Sequence, residues 1–304
     1  MSEFVVRHPI FSLDREILLD SGIKVTKPFL EELVGSYSSR VGSDISFVNH
    51  GTIKSDLKRL VDRESYKIIY AKEGCLSALF EDFESVRLPE CVLFALDYFK
   101  EHDAYSYNHF LSVFALSTLL ARDLIPDYRE ILSLAATGPT HDIGKLCVPI
   151  EILNKRDPLT KAEKDVLDNH TFAGYVLMSC FTGELDGLSA RVARDHHERN
   201  NGFGRPRGIE LQDPFTEIIA VCDVFDALIS PRPYRPSSFD NRTALEEIVD
   251  LGFKNEFGWD TIKTLVSYNR ADKPHFEQVV ISPEKRGVAP EGNSHGIIAE
   301  DVRA

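Results

Sequence analysis

The chain has no run of about 18 apolar residues, so no ordinary membrane-spanning helix is expected, and it shows no secretory start. It also lacks a surplus of positive charge, with 35 Lys and Arg against 48 Asp and Glu and a formal net charge of −13. A chain of that sign repels nucleic-acid polymers and anionic membranes, so neither is expected as a partner. A small phosphorylated ligand stays open, because an acidic protein can hold a local basic pocket. No cysteine pair has CxxC spacing: Cys75, Cys91, Cys147, Cys180 and Cys222 are scattered and odd in number. That pattern argues against a zinc finger or disulfide framework and for free thiols in a reducing cytoplasm.

Hydrophobic residues are abundant, at 43% of 304 residues. A sizeable core is therefore possible, in one large domain or two of ordinary size. Residues 5–13 and 16–25 alternate apolar and polar around "DRE", which predicts a hairpin. "TKPFLEELVGSY" reads as a helix capped by Thr26, "IKSDLKRLVD" as a second helix, and "DISFV" and "YKIIYA" as strands. Residues 1–86 are thus expected to form a small α+β module with no catalytic constellation, its regulatory or sensory role being unknown from any residue pattern there. Residues 87–282 are expected to form an all-α helical bundle, and 283–304 a loose tail rich in chain breakers. In the helical part, His109, Val113, Leu116 and Leu120 share one face. "TKAE" has capping-box spacing and opens a helix carrying Val166, His170, Ala173 and Leu177. Asp213 and Pro214 mark the start of another helix.

The chemistry-bearing residues are His109, "HDIGK" at 141–145, His170, His196 with His197, and Asp223. One histidine on an apolar helix face is usually a hydrogen-bonded core residue. Several on successive helices, with aspartates that should not be buried unpaired, need another account. A divalent metal supplies it. Neighbouring helical residues diverge by about 100°, so His141 and Asp142 cannot face one ion as simple ligands. Asp142 bridging two ions would let His141 serve one, and His196 with His197 the other. Two such ions suit phosphoryl chemistry. Histidine and aspartate without cysteine favour iron or manganese over structural zinc.

Five ordered blocks, "YNHFLSVFAL", "HDIGKLCVPIEILNK", "NHTFAGYVL", "HHERNNGFGRP" and "AVCDVFDALISPRPYR", resemble the HD-GYP branch of the HD phosphohydrolases. The resemblance covers about residues 88–270. It implies an all-α, metal-dependent phosphodiesterase that opens cyclic di-GMP through a hydroxide bridging two metal ions. By position it implies His109, His141, Asp142, His170, His196, His197 and Asp223 as metal ligands. Lys145 and Asp142 would be catalytic, and Arg232 and Arg235 would hold substrate phosphates. It further implies possible contacts with a diguanylate cyclase domain.

The sequence departs from the branch's HHERxDGxGYP motif at Asn201, in place of aspartate, and Arg205, in place of tyrosine. Gly202, Gly204 and Pro206 remain, so the loop shape is expected to survive while the chemistry at its tip changes. Arg205 offers a permanent charge where tyrosine would stack or hydrogen-bond, and is expected to contact a phosphate. Tyr105 stands where some members carry a glutamate for a third metal, which favours two ions. Two alternatives stay open: a metal-loaded cyclic-dinucleotide-binding or protein-interaction module with little turnover, and a phosphohydrolase for another nucleotide.

Overall fold

The structure, a computed structural model, describes residues 4–37, 42–231 and 237–291. The chain opens with two nested antiparallel pairs. β1 (Phe4–Val5) pairs with β4 (Lys24–Val25), and β2 (Ile10–Phe11) with β3 (Ile17–Leu19). This is the hairpin expected around "DRE". Its turn is closed by Ser12 N–H donating to Glu16 O at 2.8 Å, with Arg15 left-handed at φ 63°.

Next come α1 (Lys27–Tyr37), β5 (Asp44–Ser46), α2 (Ile53–Val61), α3 (Glu64–Tyr70), α4 (Cys75–Ser85) and β6 (Arg87–Pro89). Thr26 caps α1 as expected, its hydroxyl accepting from Phe29 N–H at 3.4 Å. "YKIIYA" is not a strand: it is most of α3. Its aromatic and β-branched residues suggest a strand, but Tyr66, Ile69 and Tyr70 are buried at i, i+3 and i+4, a helical face. β6 pairs antiparallel with β5, joining residues 87–89 to the N-terminal elements.

The remainder is helical: α5 (Glu90–His102), α6 (Ala104–Leu124), α7 (Tyr128–Thr137), α8 (Ile150–Leu153), α9 (Lys161–Asp168), α10 (His170–Thr182), α11 (Leu188–Asp195), α12 (Pro214–Ile229), α13 (Asn241–Phe253) and α14 (Trp259–Tyr268). The expected capping box is present, Thr160 and Glu163 bonding reciprocally at the start of α9. The single helix expected from 160 onwards is instead two. The Leu167 carbonyl accepts from Asn169 N–H and from the His170 ring. The chain turns there, and His170 becomes the first residue of α10. Asp213 accepts from the Thr216 hydroxyl at 2.6 Å, and Pro214 takes the first position of α12.

α6 lies at the centre, buried almost all round and packed by α2, α5, α7, α12 and α14. One continuous core runs from Val6 to Val279. Phe114 of α6 joins the N-terminal elements to the bundle, its ring centroid 4.6 Å from Phe47 and 4.5 Å from Phe83. Asp56 of α2 adds a polar tie, accepting from Tyr107 Oη at 2.7 Å and Lys100 Nζ at 2.8 Å. Towards the C-terminus, Gly287 N–H donates to Glu246 of α13 at 2.7 Å. No helix among the described residues is long and apolar enough to cross a membrane.

Because Phe114 is fully buried between two aromatic neighbours, Phe114→Ala should leave a cavity shared by both halves. We expect a loss of about 3–5 kcal/mol in urea unfolding. A loss below about 1 kcal/mol would mean that the two halves do not depend on this contact.

Candidate metal centre

Two 3-10 turns after α7, at 138–140 and 143–147, carry "HDIGK" into the space between α6 and α10. Two glycines allow that approach. A Cβ on Gly138 would lie 2.6 Å from Phe114 Cα, and one on Gly144 would lie 1.9 Å from His170 O. His141 and Asp142 are thereby pressed against α6, which delivers His109, and α10, which delivers His170. The end of α11 brings His196 and His197, and α12 brings Asp223. All seven residues expected as ligands from the sequence converge in one place.

They fall into two groups of three: His109, His141 and Asp223, and His170, His196 and His197. Within each group the candidate ligand atoms lie within 4.8 Å of one another. Asp142 stands between. Its Oδ2 is 3.3 Å from His141 Nε2 and 3.7 Å from His109 Nε2, while its Oδ1 is 3.1 Å from His170 Nε2 and 3.6 Å from His196 Nε2.

The histidines are set for coordination. His141 Nδ1 is 2.7 Å from Gly138 O, His170 Nδ1 2.5 Å from Leu167 O, and His196 Nδ1 3.1 Å from Ala193 O. A carbonyl oxygen can only accept, so each Nδ1 carries the proton and each Nε2 keeps a lone pair. Those three Nε2 atoms are buried without any hydrogen-bond partner. Unpartnered buried acceptors are costly, and a cation is the partner that fits a ring of lone pairs and carboxylates. Burial lowers the pKa of His196 despite Asp142, and burial with His196 and Arg205 nearby holds His197 well below the ordinary imidazole range. Both are neutral, as a metal ligand must be.

The carboxylates have the complementary character. Burial raises the Asp142 carboxyl, but Lys145 and His141 outweigh it and hold it well below the usual range. Asp223 is held down likewise against burial, chiefly by its hydrogen bond to His109. Burial pulls His109 down, yet its bonds to Asp223 and Asp226 raise it to about 9. The Nε2 proton of His109 thus lies where a divalent ion would replace it.

Asp226, one turn beyond Asp223 on α12, is not among the residues expected as ligands. Its Oδ2 lies 2.5 Å from His109 Nδ1, so this carboxylate orients the ring. Asp226 is fully buried and also accepts from Ser230 Oγ at 2.8 Å and from Tyr66 of α3. Nothing in the sequence signals that Tyr66 reaches the centre. Tyr105 lies beside His109 with the rings nearly parallel, 9° apart with centroids at 6.0 Å.

A cavity of about 620 Å³ opens over the cluster, lined among others by Asp142, Lys145, His197, Phe203, Arg205 and Asp223. Lys145 Nζ sits 2.6 Å from Asp142 Oδ2. The loop after His197 forms one wall. Buried Glu198 accepts from Arg207 N–H at 2.7 Å and Ile209 N–H at 3.1 Å, and Asp195 pairs with both Arg194 and Arg207. Backbone hydrogen bonds hold the loop at both ends, with Arg205 N–H donating to His197 O at 3.0 Å and Gly202 N–H to Arg199 O at 2.9 Å. Asn201 serves the same loop: its side chain accepts from Phe203 N–H at 3.1 Å and donates to Lys254 O at 3.0 Å. Arg205 reaches Asp168 at 3.0 Å, and Lys164 binds the same carboxylate at 2.8 Å. Arg232 and Arg235, expected at a phosphate, lie outside the described residues.

Comparison with known families matches the HD domain over residues 96–252. A cyclic di-GMP phosphodiesterase of Thermotoga maritima is 33% identical over 192 residues, which is 62% of this chain and 51% of that protein. A cyclic di-GMP phosphodiesterase of Pseudomonas aeruginosa is 39% identical over 154 residues, 49% of this chain and 36% of that protein. A 3'3'-cGAMP-specific phosphodiesterase of Vibrio cholerae is 33% identical over 179 residues, 58% of this chain and 37% of that protein. The matched part therefore spans about half or less of these relatives.

Asp226→Asn keeps the size of the side chain but removes the charge that orients His109. It is expected to weaken retention of divalent metal about 10- to 100-fold, read by chelator competition and elemental analysis. Unchanged retention would reduce Asp226 to a packing role.

Proposed function

This chain belongs to the HD-domain family, in its HD-GYP branch, and on that premise we propose that it is a two-metal phosphodiesterase that hydrolyses cyclic di-GMP. The observation that carries the reading is the division of the Asp142 carboxylate, one oxygen towards His170 and His196 and the other towards His109 and His141. His109, His141 and Asp223 would hold one ion, His170, His196 and His197 the other, with Asp142 shared. When bound, such ions supply Lewis-acid activation of a phosphodiester and of a water. With no cysteine in the set, iron is favoured and manganese is second.

The chain's own residues supply the rest. Lys145, on the cavity wall and 2.6 Å from Asp142, offers an ammonium to the phosphoryl oxygens as negative charge develops on them. Arg205 offers a fork of donors at the cavity's edge, held in place by Asp168 until a phosphate competes for it. Arg232 and Arg235, by their place after the Asp223 helix, would take the remaining phosphate charge. The carbonyl bonds of His141, His170 and His196 hold the rings with Nε2 directed at the cluster. Any contact with a diguanylate cyclase domain would fall on the 196–208 loop. The five cysteines are unpaired, which supports a reducing cytoplasm as the compartment.

Elemental analysis of protein purified without chelators should find close to two ions per chain, and Asp142→Ala should lose both. One ion retained in Asp142→Ala would argue against a shared carboxylate. Metal-replete protein should convert cyclic di-GMP to a linear or mononucleotide product on chromatography, and Asp142→Ala should not. Binding without turnover would make the chain a metal-loaded binding module, and turnover of another nucleotide alone would change the substrate.

Arg205→Ala should weaken cyclic di-GMP binding about fivefold (~1 kcal/mol), a modest loss because the guanidinium is half-exposed and must first leave Asp168. The loss should shrink with added salt. Equal affinity in the variant would remove the phosphate role.

A further inference from the structure

The loop that walls the cavity carries an aromatic side chain that the ligand geometry does not use. Phe203 is 90% exposed, more than any other large hydrophobic among the described residues. It nevertheless lines the same cavity as Asp142, Lys145 and Asp223. A phenyl ring in water is unfavourable, and a flexible loop would fold it away. This loop is clamped on both sides of the ring. Gly202 turns left-handed at φ 76°, and Phe203 N–H is held by the Asn201 side chain. Gly204 packs so closely on Glu198 that a Cβ would lie 2.3 Å from Glu198 Cα. Arg205 N–H donates to His197 O at 3.0 Å, fixing the loop to the last two ligands. Arg205 itself is committed to Asp168. Phe203 is therefore the one phenyl ring on this loop, presented at the cavity on a rigid backbone.

We propose that Phe203 is the platform on which a purine base of the substrate stacks while its phosphodiester lies at the His and Asp cluster. The inference rests on the cyclic-dinucleotide reading above and gives that substrate a second point of attachment. A purine offers a wide apolar face that covers an exposed ring, and the ring in return fixes the base relative to the reacting phosphate. Stacking on an aromatic side chain reads no hydrogen-bonding edge, so guanine and adenine are held alike. Phe203 is then a residue of affinity and positioning, with no part in telling cyclic di-GMP from 3'3'-cGAMP.

The test uses the full, metal-replete chain. In Phe203→Ala the KM for cyclic di-GMP and for 3'3'-cGAMP should rise together by about tenfold, with kcat changed less than about twofold. Metal content and inhibition by inorganic phosphate, which has no base, should match the wild type. Phe203→Trp should restore the KM. Calorimetric titration with a phosphorothioate analogue of cyclic di-GMP should show the same loss and the same rescue. An unchanged KM in Phe203→Ala, a loss confined to one of the two dinucleotides, or no rescue by Trp would overturn the stacking role while leaving the hydrolytic reading intact. A wild type that neither binds nor hydrolyses either dinucleotide would end both.

Discussion

A buried carboxylate surrounded by imidazole lone pairs is the constraint around which this molecule is arranged. Asp142 is 3% exposed, and a charge so placed is tolerable only when its partners are fixed. Each neighbouring element serves that need. α6 brings His109, α10 begins with His170, α11 ends at His196 and His197, and α12 supplies Asp223. The glycines at 138 and 144 let the backbone of the "HDIGK" turn come close enough for its side chains to reach all of them. Carbonyl oxygens then choose the tautomer of three imidazoles, so three Nε2 lone pairs face the buried carboxylate.

The N-terminal elements contribute to this arrangement as well as covering it. Tyr66 of α3 binds Asp226, which binds His109, so a residue of the first part of the chain stands two hydrogen bonds from the His109 ring. On the opposite side, the β2–β3 hairpin grips the turn that carries Lys145. Phe11 N–H meets Cys147 Sγ at 3.4 Å, and the Arg15 guanidinium reaches Leu146 O. With Phe47 and Phe83 packed on Phe114, these ties make one core of what composition and pattern divide in two.

The 196–208 loop is held by its backbone and by short side chains, and its tip is left to face the cavity. Glu198, Gly202 and Gly204 perform backbone tasks that depend on their size and hydrogen bonding, and Asn201 holds the turn with two hydrogen bonds, one accepted and one donated. At Arg205 a guanidinium engaged by Asp168 faces the cavity. The His and Asp cluster and the rim of the site are thus separable, since one depends on helices packed in the core and the other on side chains at the end of a clamped loop.

Much of this was legible in the sequence for a simple reason. The clustered His and Asp residues are chemically unusual for helix faces, and they recur in ordered blocks whose helices are signalled by apolar spacing, by the capping box at Thr160 and by Asp213 with Pro214. Local signals misled where local propensity competes with packing. "YKIIYA" has the composition of a strand, but a helix is what lets Tyr66, Ile69 and Tyr70 share one buried face. The break at Asn169 followed from His170 bonding back to Leu167 O, a contact no spacing rule anticipates. Which oxygen of Asp142 faces which histidines, that Asp226 orients His109, and that Tyr66 and Asp168 reach the centre and its rim are facts of position. The sequence by itself determined the kinds of donor atoms and the helices that bear them. Only the tertiary structure decided their grouping, because that depends on distances between side chains up to 160 residues apart, as in Tyr66 and Asp226.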